Sequence, residues 1–470
     1  MGSTLLDKLW RRHQIARAPA SEDVSLLFVD RSLLHEETTF SFNAANARAQ
    51  GVRFPLRHAA FADHYAPTRT HLRDDPSLVD AEARAMLDLL SDNTAACGIP
   101  FFGIHDPGHG IMHVAGPQLG LVQPGMLVTG SDSHTCTLGA LGAYAFGIGQ
   151  TELRQVFRTQ TVWRRRPGSM RVTLDGPPGP GIGAKDVVLA LIRQLGVRRA
   201  AGHVIEFDGD YVSGLSMDQR LTLCNMAIEA GANSGLIAPD AITAAYLQGK
   251  PHAPAGEQWD AALSDWQGLR SDTDAAHDAT VRMRVPGVLP MTTWGTGLDQ
   301  ALTILERIPD PEQCPDPTQR QRARRALQYM GLEPGAPIAG TPVDVAFIGS
   351  CNSSRLEDLR TAARLLKGRR VRVPTFVVPG AQVIKRQAED EGLARIFVDA
   401  GCQWREPGCS MCVGSNGDTV APGLRCASSS PRNFEGRQGP GARTHVMSAA
   451  MAAAAAITGR LHDARDFIVD

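Results

Sequence analysis

Three cysteines in small, turn-prone surroundings form the most reactive set in the sequence. Cys351 stands alone after Gly349 and Ser350, whereas Cys409 and Cys412 form a C-x-x-C pair. A cysteine thiolate is a soft ligand that selects zinc, copper(I) or iron–sulfur centres. A four-iron cluster held by three cysteines leaves one iron open to a substrate oxygen and then serves as a Lewis acid.

The same cysteines admit two other interpretations. A C-x-x-C pair in an intracellular chain can be a redox pair. It can also be half of a zinc site in which Cys402 or Cys426 is a further ligand, because structural zinc usually takes four protein ligands. The spacing alone leaves all three interpretations open.

Pairs of a carboxylate and a histidine add the chemistry of proton transfer. Asp63 directly precedes His64, and Asp132 lies two residues before His134. A carboxylate beside an imidazole orients the ring or raises its pKa, which suits a general acid. A glycine-rich tract that contains three histidines ends at His113, and such a tract either binds metal or offers one useful imidazole.

Other charged residues are candidates with plainer alternatives. Glu206 lies among the apolar residues of a predicted strand, where it is either a paired core residue or a perturbed catalytic acid. Arg432 and Arg437 are five residues apart with glycines nearby, which suits bidentate capture of a dicarboxylate. The alternative for these arginines is a solvated basic loop.

Short apolar runs predict the strands that position these residues. The run Leu26–Asp30 predicts a buried strand that leads to His35, and Gly125–Gly130 predicts a strand that leads to Asp132. Polar residues at the end of a strand are where α/β proteins place ligand contacts.

The region around Cys351 predicts a parallel sheet. Val343–Ile348 and Val371–Val378 are strand patterns, and Arg355–Lys367 between them has a helical pattern. Such a βαβ unit implies parallel strands, so Cys351 lies beyond the carboxyl end of a strand.

Length and composition restrict the class of protein. The 470 residues predict about three domains, and a chain that is 43% hydrophobic can bury a large core. A net charge of −1 argues against nucleic acid or an anionic membrane as the main partner. The nine cysteines do not form the dense framework of a small secreted domain, and no signal-peptide pattern opens the sequence, so we expect a cytoplasmic protein.

Taken in order, these motifs resemble those of the large subunits of 3-isopropylmalate dehydratases, which belong to the aconitase superfamily. The resemblance runs nearly from end to end. It rests on Asp30-Arg31 with Leu33–Glu36, Ala62–His64, Gly110–Val114, Asp132–Thr135, Cys224–Met226 with Glu229–Ala232, Trp294–Thr296, Gly349–Cys351, Gly408–Cys412 and Arg432–Arg437.

This resemblance implies an aconitase-like α/β fold. We expect three α/β domains with parallel or mixed sheets around a cluster-binding cleft. The expected boundaries are 1–168, 169–295 and 296–470.

The resemblance also implies a cofactor and roles for individual residues. It implies one [4Fe-4S] cluster per chain, held by Cys351, Cys409 and Cys412, with one iron not bound by protein. It makes His64, backed by Asp63, the acid that protonates the leaving hydroxyl. The residues that it places around the substrate hydroxyl and the iron-bound water are His113, Asp132, His134 and Glu206. The residues that it assigns to substrate binding are His35, Arg432 and Arg437.

The implied reaction is the removal and re-addition of water on a small dicarboxylic acid, here 2-isopropylmalate in leucine biosynthesis. In the superfamily the proton-abstracting serine lies on a fourth, swivelling domain, and no matching Ser-Ser-Arg segment is found in a following domain here. We therefore expect a partner, a small subunit that carries this domain, and no activity without it. We expect neither nucleic acid nor a membrane as a partner.

The sequence departs from the family pattern in three loops. Asn352-Ser353 replaces Thr-Asn after the first cysteine, Pro431 replaces Asn before the arginine, and Val413–Gly417 replaces Leu-Ala-Met-Asn-Pro. One alternative is therefore a paralogue that acts on citraconate, dimethylmaleate, homoaconitate or an arylalkylmalate. The other two are an RNA-binding form without the cluster and a structural paralogue that binds no cluster.

Overall fold

The computed structural model describes residues 2–44 and 51–468. Its internal contacts divide the chain into two compact units. The first unit comprises Met1–Ala66, Val79–Gly176 and Arg198–Arg284, and the second comprises Pro67–Leu78, Pro177–Val197 and Val285–Asp470. The three domain boundaries expected from the sequence remain a prediction.

The first unit contains a five-stranded parallel sheet that positions most of the candidate acid–base residues. Its strands in spatial order are Phe101–Phe102, His58–Phe61, Arg31–Leu34, Leu127–Gly130 and Tyr144–Gly147. The strands His58–Phe61 and Leu127–Gly130 are buried throughout, as expected of parallel strands covered on both faces.

Two smaller sheets complete the strands described in this unit. The parallel sheet has the order Ser234–Leu236, His203–Asp208, Gly168–Asp175 and Ala279–Arg284. The antiparallel sheet has the order Gln14–Ala18, Ser21–Phe28 and Thr161–Arg165.

The predicted strand Leu26–Asp30 is wrong in its bounds. One strand ends at Phe28, and a second strand, Arg31–Leu34, leads to His35. The break follows from Asp30, whose carboxylate accepts hydrogen bonds from His13 Nε2 at 2.6 Å and from the Leu127 N–H at 2.9 Å.

Helices with clear capping signals surround these sheets. Asp80 caps the helix Ala81–Cys97 through the N–H groups of Glu82 and Ala83, and Gly98, with φ +70°, ends it. The α-helices of the first unit are Leu5–His13, Thr39–Ala44, Ala81–Cys97, Met112–Gln118, Gln150–Thr159, Asp210–Gly214, Met217–Asn225, Ala241–Leu247 and Glu257–Trp266. Its 3₁₀ helices are Glu36–Thr38, Pro55–Arg57, Ser133–Leu141 and Met226–Ala230.

The second unit is built on a five-stranded parallel sheet. Its strands in spatial order are Gln403–Trp404, Thr375–Val377, Val345–Ile348, Arg425–Ser428 and Arg443–Val446, and a hairpin joins Met291–Thr293 to Ala301–Thr303. The predicted βαβ unit is confirmed, because Val345–Ile348 and Thr375–Val377 pair in parallel and the helix Leu356–Leu366 connects them. Cys351 therefore follows the central strand.

Helices cover this second sheet. The alanine-rich helix Ala449–Thr458 packs against Leu356–Leu366 and Val345–Ile348. The α-helices are Thr70–Asp74, Ala184–Leu195, Pro317–Met330, Leu356–Leu366, Gln382–Asp390, Leu393–Asp399 and Ala449–Thr458, and the 3₁₀ helices are Pro76–Leu78, Pro311–Gln313, Ser410–Cys412 and Ala464–Phe467. None of the helices described is long and apolar enough to cross a membrane.

Candidate active site

In the first unit, a buried carboxylate holds the turn that carries Asp63 and His64. Glu36 accepts hydrogen bonds from three successive backbone N–H groups, those of Asp63 at 2.7 Å, His64 at 3.1 Å and Tyr65 at 3.2 Å. Glu36 is fully buried. Burial, and then the charge of Asp63, raises the pKa of Glu36 to about 7. The turn after one strand is thus fixed by a residue that follows the neighbouring strand.

His64 combines a buried ring with nearby negative charge. Its Nδ1 lies 3.4 Å from Asp63 Oδ1, and its ring stacks on His35 with the centroids 4.3 Å apart. Burial alone would lower the pKa of His64, but the charge and hydrogen bond of Asp63, together with the charges of Asp132 and Glu36, outweigh burial and raise the pKa to about 10. The second oxygen of Asp63 accepts the N–H of Met112 at 2.9 Å, which fixes the carboxylate. His64 can therefore carry a proton at neutral pH.

A second cluster of ionisable groups surrounds Asp132. Asp132 Oδ1 accepts the backbone N–H of His134 at 2.7 Å and lies 3.5 Å from His134 Nδ1 and 3.7 Å from His113 Nδ1. His134 Nε2 lies 3.1 Å from Glu229 Oε1. The negative charge of Asp132 also acts on His64, so the two groups of residues share one electrostatic environment.

Burial and nearby charge give the histidines around Asp63 and Asp132 different pKa values. Burial lowers the pKa of His113 to about 4 and that of His35 to about 4, although nearby carboxylates act in the opposite direction. Burial alone would raise the pKa of Asp132, but hydrogen bonding and charge from His134, together with the charges of His113 and His64, hold it well below its usual value. The arrangement places the protonated imidazole of His64 near the imidazoles of His35 and His113, which are neutral at neutral pH and can accept hydrogen bonds.

The Glu36→Ala variant is expected to lose about 3 kcal/mol or more of stability. It would leave three N–H groups at or near the core without their acceptor, and each such group costs about 1–3 kcal/mol. Urea unfolding of the variant and the wild type, followed by circular dichroism, measures the difference. Equal unfolding midpoints would contradict the prediction.

The Glu36→Gln variant tests the charge of this residue separately. The raised pKa of Glu36 contributes stability that is complete below the usual value of 4.5 and is lost as the pH rises through about 7. Glutamine does not titrate. We therefore expect the fall in wild-type stability between these pH values to be weaker in the variant, measured by urea unfolding across that range.

Glu206 lies apart from these contacts. Its carboxylate accepts hydrogen bonds from Ser271 Oγ at 2.7 and 2.8 Å and lies 3.2 Å from His277 Nε2. Glu229 is instead the glutamate next to His134. The predicted role of Glu206 at the substrate remains a prediction. Its contacts favour the alternative interpretation, in which Glu206 is a core residue paired with its neighbours.

In the second unit, Cys351 lies in a loop of unusual backbone geometry. Ser350, immediately before it, has φ +78°, which a residue other than glycine rarely adopts. Ser429 Oγ accepts the Gly349 N–H at 2.9 Å and thereby fixes the start of the loop. The buried Arg355 donates from Nη2 to the Cys351 carbonyl at 2.7 Å and brings a positive charge to the cysteine.

The C-x-x-C pair has the same kind of geometry. Ser410, between the two cysteines, has φ +49°, and Cys409 and Cys412 are both buried. Left-handed backbone at a non-glycine residue costs about 1–3 kcal/mol, and such positions cluster at functional sites. Two of the three such residues described, Ser350 and Ser410, adjoin the candidate ligands, whereas the third is Gln160.

Positive charge adjoins these thiols. The buried Lys185 donates from Nζ to the carbonyls of Ser429 at 3.1 Å and Ser430 at 3.0 Å. Burial lowers the pKa of Lys185 to about 8, while the charges of Cys351 and Cys412 act in the opposite direction. Arg437 Nη2 approaches Cys412 Sγ at 4.0 Å. An anionic centre bound to these cysteines would therefore meet compensating charge.

The donor set fits an iron–sulfur cluster better than one zinc ion. Among the described residues, the Sγ atoms of Cys351, Cys409 and Cys412 do not form a group within 4.8 Å of one another. Thiolates on one tetrahedral zinc would lie about 3.8 Å apart, because each Zn–S bond is about 2.3 Å. Cys426 packs in the hydrophobic core, and burial raises the pKa of Cys402 to about 12, so neither resembles a metal ligand.

The fold and these residues together define an aconitase-type protein. The chain belongs to the Aconitase family (aconitate hydratase), whose model matches residues 7–459, and this confirms the predicted fold class. The family implies an iron–sulfur cluster.

Two relatives resemble nearly the whole chain. It is 48% identical over 474 residues to the 3-isopropylmalate dehydratase large subunit 1 of Bradyrhizobium diazoefficiens, covering 99% of this chain and 97% of that protein. It is 47% identical over 464 residues to the 3-isopropylmalate dehydratase large subunit of Anaeromyxobacter dehalogenans, covering 98% and 96%. The resemblance proposed from the sequence is thus confirmed.

The structure brings most of the predicted residues into two groups, one in each unit. In the first unit, His35, Asp63, His64, His113, Asp132 and His134 share contacts or charge. In the second unit, the charges of Cys351 and Cys412 both act on Lys185. Arg437 contacts Cys412 directly. The carbonyl of Arg432 accepts a hydrogen bond from Ser430 Oγ at 3.2 Å, and its substrate role remains a prediction.

Proposed function

We propose that this chain is the large subunit of a hydro-lyase that isomerises 2-isopropylmalate and 3-isopropylmalate by dehydration and rehydration, a step of leucine biosynthesis. The observation that carries the proposal is the near-complete similarity to two large subunits of that name. The protonated histidine and the set of three cysteines supply the chemistry that such a reaction needs.

We propose that His64 is the general acid. Dehydration breaks the carbon–oxygen bond of the substrate hydroxyl, and that oxygen must gain a proton to leave as water. His64, whose pKa Asp63 raises to about 10, holds that proton at neutral pH. In rehydration the same imidazole takes the proton back as water adds at the neighbouring carbon.

The remaining residues of the first unit position the reactants. We propose that Asp132, kept ionised by His134, and the neutral His113 hold the substrate hydroxyl and water through hydrogen bonds. His35, stacked on His64, is proposed to contact the substrate. Hydrogen-bond acceptors of fixed position orient the leaving oxygen toward the acid.

The residues of the second unit would hold the cofactor and the substrate carboxylates. We propose that Cys351, Cys409 and Cys412 bind a [4Fe-4S] cluster with one iron not bound by protein, which when present supplies a Lewis acid for the hydroxyl. Arg432 and Arg437 are proposed to bind the two carboxylates, since a guanidinium matches a carboxylate bidentately.

The proton on the neighbouring carbon needs a base that we propose lies on a partner. Both relatives are named large subunits, which implies a small subunit. We propose that the small subunit carries the base on a swivelling domain. The hydroxyl leaves as water with the proton from His64, and the carbon-bound proton moves to the base on the small subunit. The product is an alkene diacid, and atoms and charge balance.

Anaerobic co-purification of the chain with a candidate small subunit tests the proposal. We expect the pair, and not either chain alone, to form an alkene diacid from 2-isopropylmalate, measured by its ultraviolet absorbance. The comparison panel consists of an arylalkylmalate, whose dehydration also raises this absorbance, and of citraconate, dimethylmaleate and homoaconitate, whose hydration lowers it. A clear preference for one of these, or full turnover by the isolated chain, would contradict the proposal.

A further inference from the structure

The loop that carries Cys409 and Cys412 is tied at its beginning to the segment Pro67–Leu78 of the same unit. The N–H of Glu406 donates to the Thr68 carbonyl at 2.8 Å, and Arg73 Nη2 donates to the Pro407 carbonyl at 2.5 Å. Arg73 is itself buried. The approach to the C-x-x-C pair is therefore fixed before the first cysteine.

A buried carboxylate holds the other end of the loop. Asp418 is 7% exposed, and its Oδ2 accepts hydrogen bonds from Thr68 Oγ1 and from Ser410 Oγ, the latter at 2.8 Å. Its Oδ1 lies 3.7 Å from Arg405 Nη1 and 3.8 Å from Arg69 Nε, which compensates its charge. The Asp418 side chain thus joins the turn between Cys409 and Cys412 to the segment Pro67–Leu78.

Ser410 links Asp418 to the turn that carries the two cysteines. It stands between Cys409 and Cys412, and its φ of +49° is one that a serine does not favour. Such a conformation persists only where its surroundings impose it. The hydrogen bond to Asp418 is a charge-assisted bond in a buried position, and therefore a strong restraint on this serine.

We propose that Asp418 is a positioning residue for the iron–sulfur cluster. By holding Ser410 in its left-handed conformation, it aims the thiols of Cys409 and Cys412 at the cluster and slows the loss of iron. This inference rests on the cluster proposed above. Asp418 itself binds neither the cluster nor the substrate in this proposal.

The test compares iron release from five forms of the full chain, each reconstituted anaerobically with iron and sulfide. Besides the wild type they are Asp418→Asn, which keeps the shape but removes the charge, Ser410→Ala, which removes only the hydroxyl, the variant that combines these two substitutions, and Glu406→Gln. Glu406 is the matched control, because it is a largely buried carboxylate that contacts Arg73, Lys385 and Thr70 but not Ser410. Iron captured by a coloured chelator gives the release rate, and thermal unfolding of the cluster-free forms gives stability.

We expect Asp418→Asn and Ser410→Ala to release iron about tenfold faster than the wild type, the effect of losing one charge-assisted hydrogen bond. Glu406→Gln should release iron at the wild-type rate. Combining both substitutions should add little to the effect of Ser410→Ala, since both act on the same charge-assisted bond, which Asp418→Asn weakens and Ser410→Ala removes. If Asp418→Asn does not fold, Ser410→Ala alone decides the question.

Two results separate the failure of this inference from failure of the proposed function. A wild-type chain that binds no cluster would contradict the proposed function. A wild-type chain that binds the cluster, with Ser410→Ala and Asp418→Asn releasing iron no faster, would overturn the role of Asp418. Equal acceleration by Glu406→Gln would also overturn it, because general loosening of the loop would then explain the effect.

Discussion

The His64→Asn variant, assayed with its small subunit, is expected to lose about 10²–10⁴-fold in kcat with little change in KM. Asparagine retains a polar group but is not acidic enough to transfer a proton. The expected loss is the rate factor that a general acid usually contributes. His64 is buried, stacked on His35 and lies 3.4 Å from Asp63. The formation of the alkene diacid from 2-isopropylmalate measures the effect.

The Asp63→Asn variant separates the role of the acid from simple loss of structure. After burial, which acts the other way, the charge of Asp63 is the largest influence on the pKa of His64. Removing it should lower that pKa, so activity should disappear at a lower pH than in the wild type as His64 loses its proton. An unchanged pH profile, or a His64→Asn variant with a tenth of wild-type activity or more, would contradict the assignment.

The sequence predicted strands that lead to His35 and to Asp132, the first with wrong bounds, but it predicted no strand before Asp63. In the structure His35, Asp63 and Asp132 each follow a short strand. The order of the strands is a tertiary property, set by side-chain packing between segments far apart in the chain. Only the structure shows that the three strands are neighbours, which places the three polar ends along one edge.

The residues that the sequence missed act over long separations. Glu36 binds N–H groups 27 to 29 residues away, and Asp418 binds Thr68 across 350 residues. The spacing of apolar residues along the sequence does not indicate which carboxylate will contact a given turn in the folded chain. Glu229 likewise contacts a residue far from it in the chain, since its Oε1 lies 3.1 Å from His134 Nε2.

The Cys409→Ser variant is expected to lose the iron–sulfur cluster and, with it, all measurable activity of the two-subunit enzyme. A serine hydroxyl is a harder and far less acidic ligand than a thiol, so it binds iron poorly at neutral pH. Cys409 is buried and begins the 3₁₀ helix Ser410–Cys412, and no other described cysteine lies in that turn except Cys412. Visible absorbance and iron content after anaerobic reconstitution measure the cluster.

The Cys402→Ala variant is the matched control for this prediction, because it distinguishes the cluster from the zinc site that the sequence also allowed. Cys402 is a buried cysteine seven residues before Cys409, and burial raises the pKa of its thiol to about 12, which disfavours the thiolate that a metal requires. We therefore expect Cys402→Ala to keep its iron and its activity, with stability lowered only by the packing that the sulfur provided. Loss of bound metal in Cys402→Ala, with zinc rather than iron in the wild type, would instead make Cys402 a ligand.

A cluster retained by Cys409→Ser would contradict the three-cysteine assignment, since two thiols would then be sufficient.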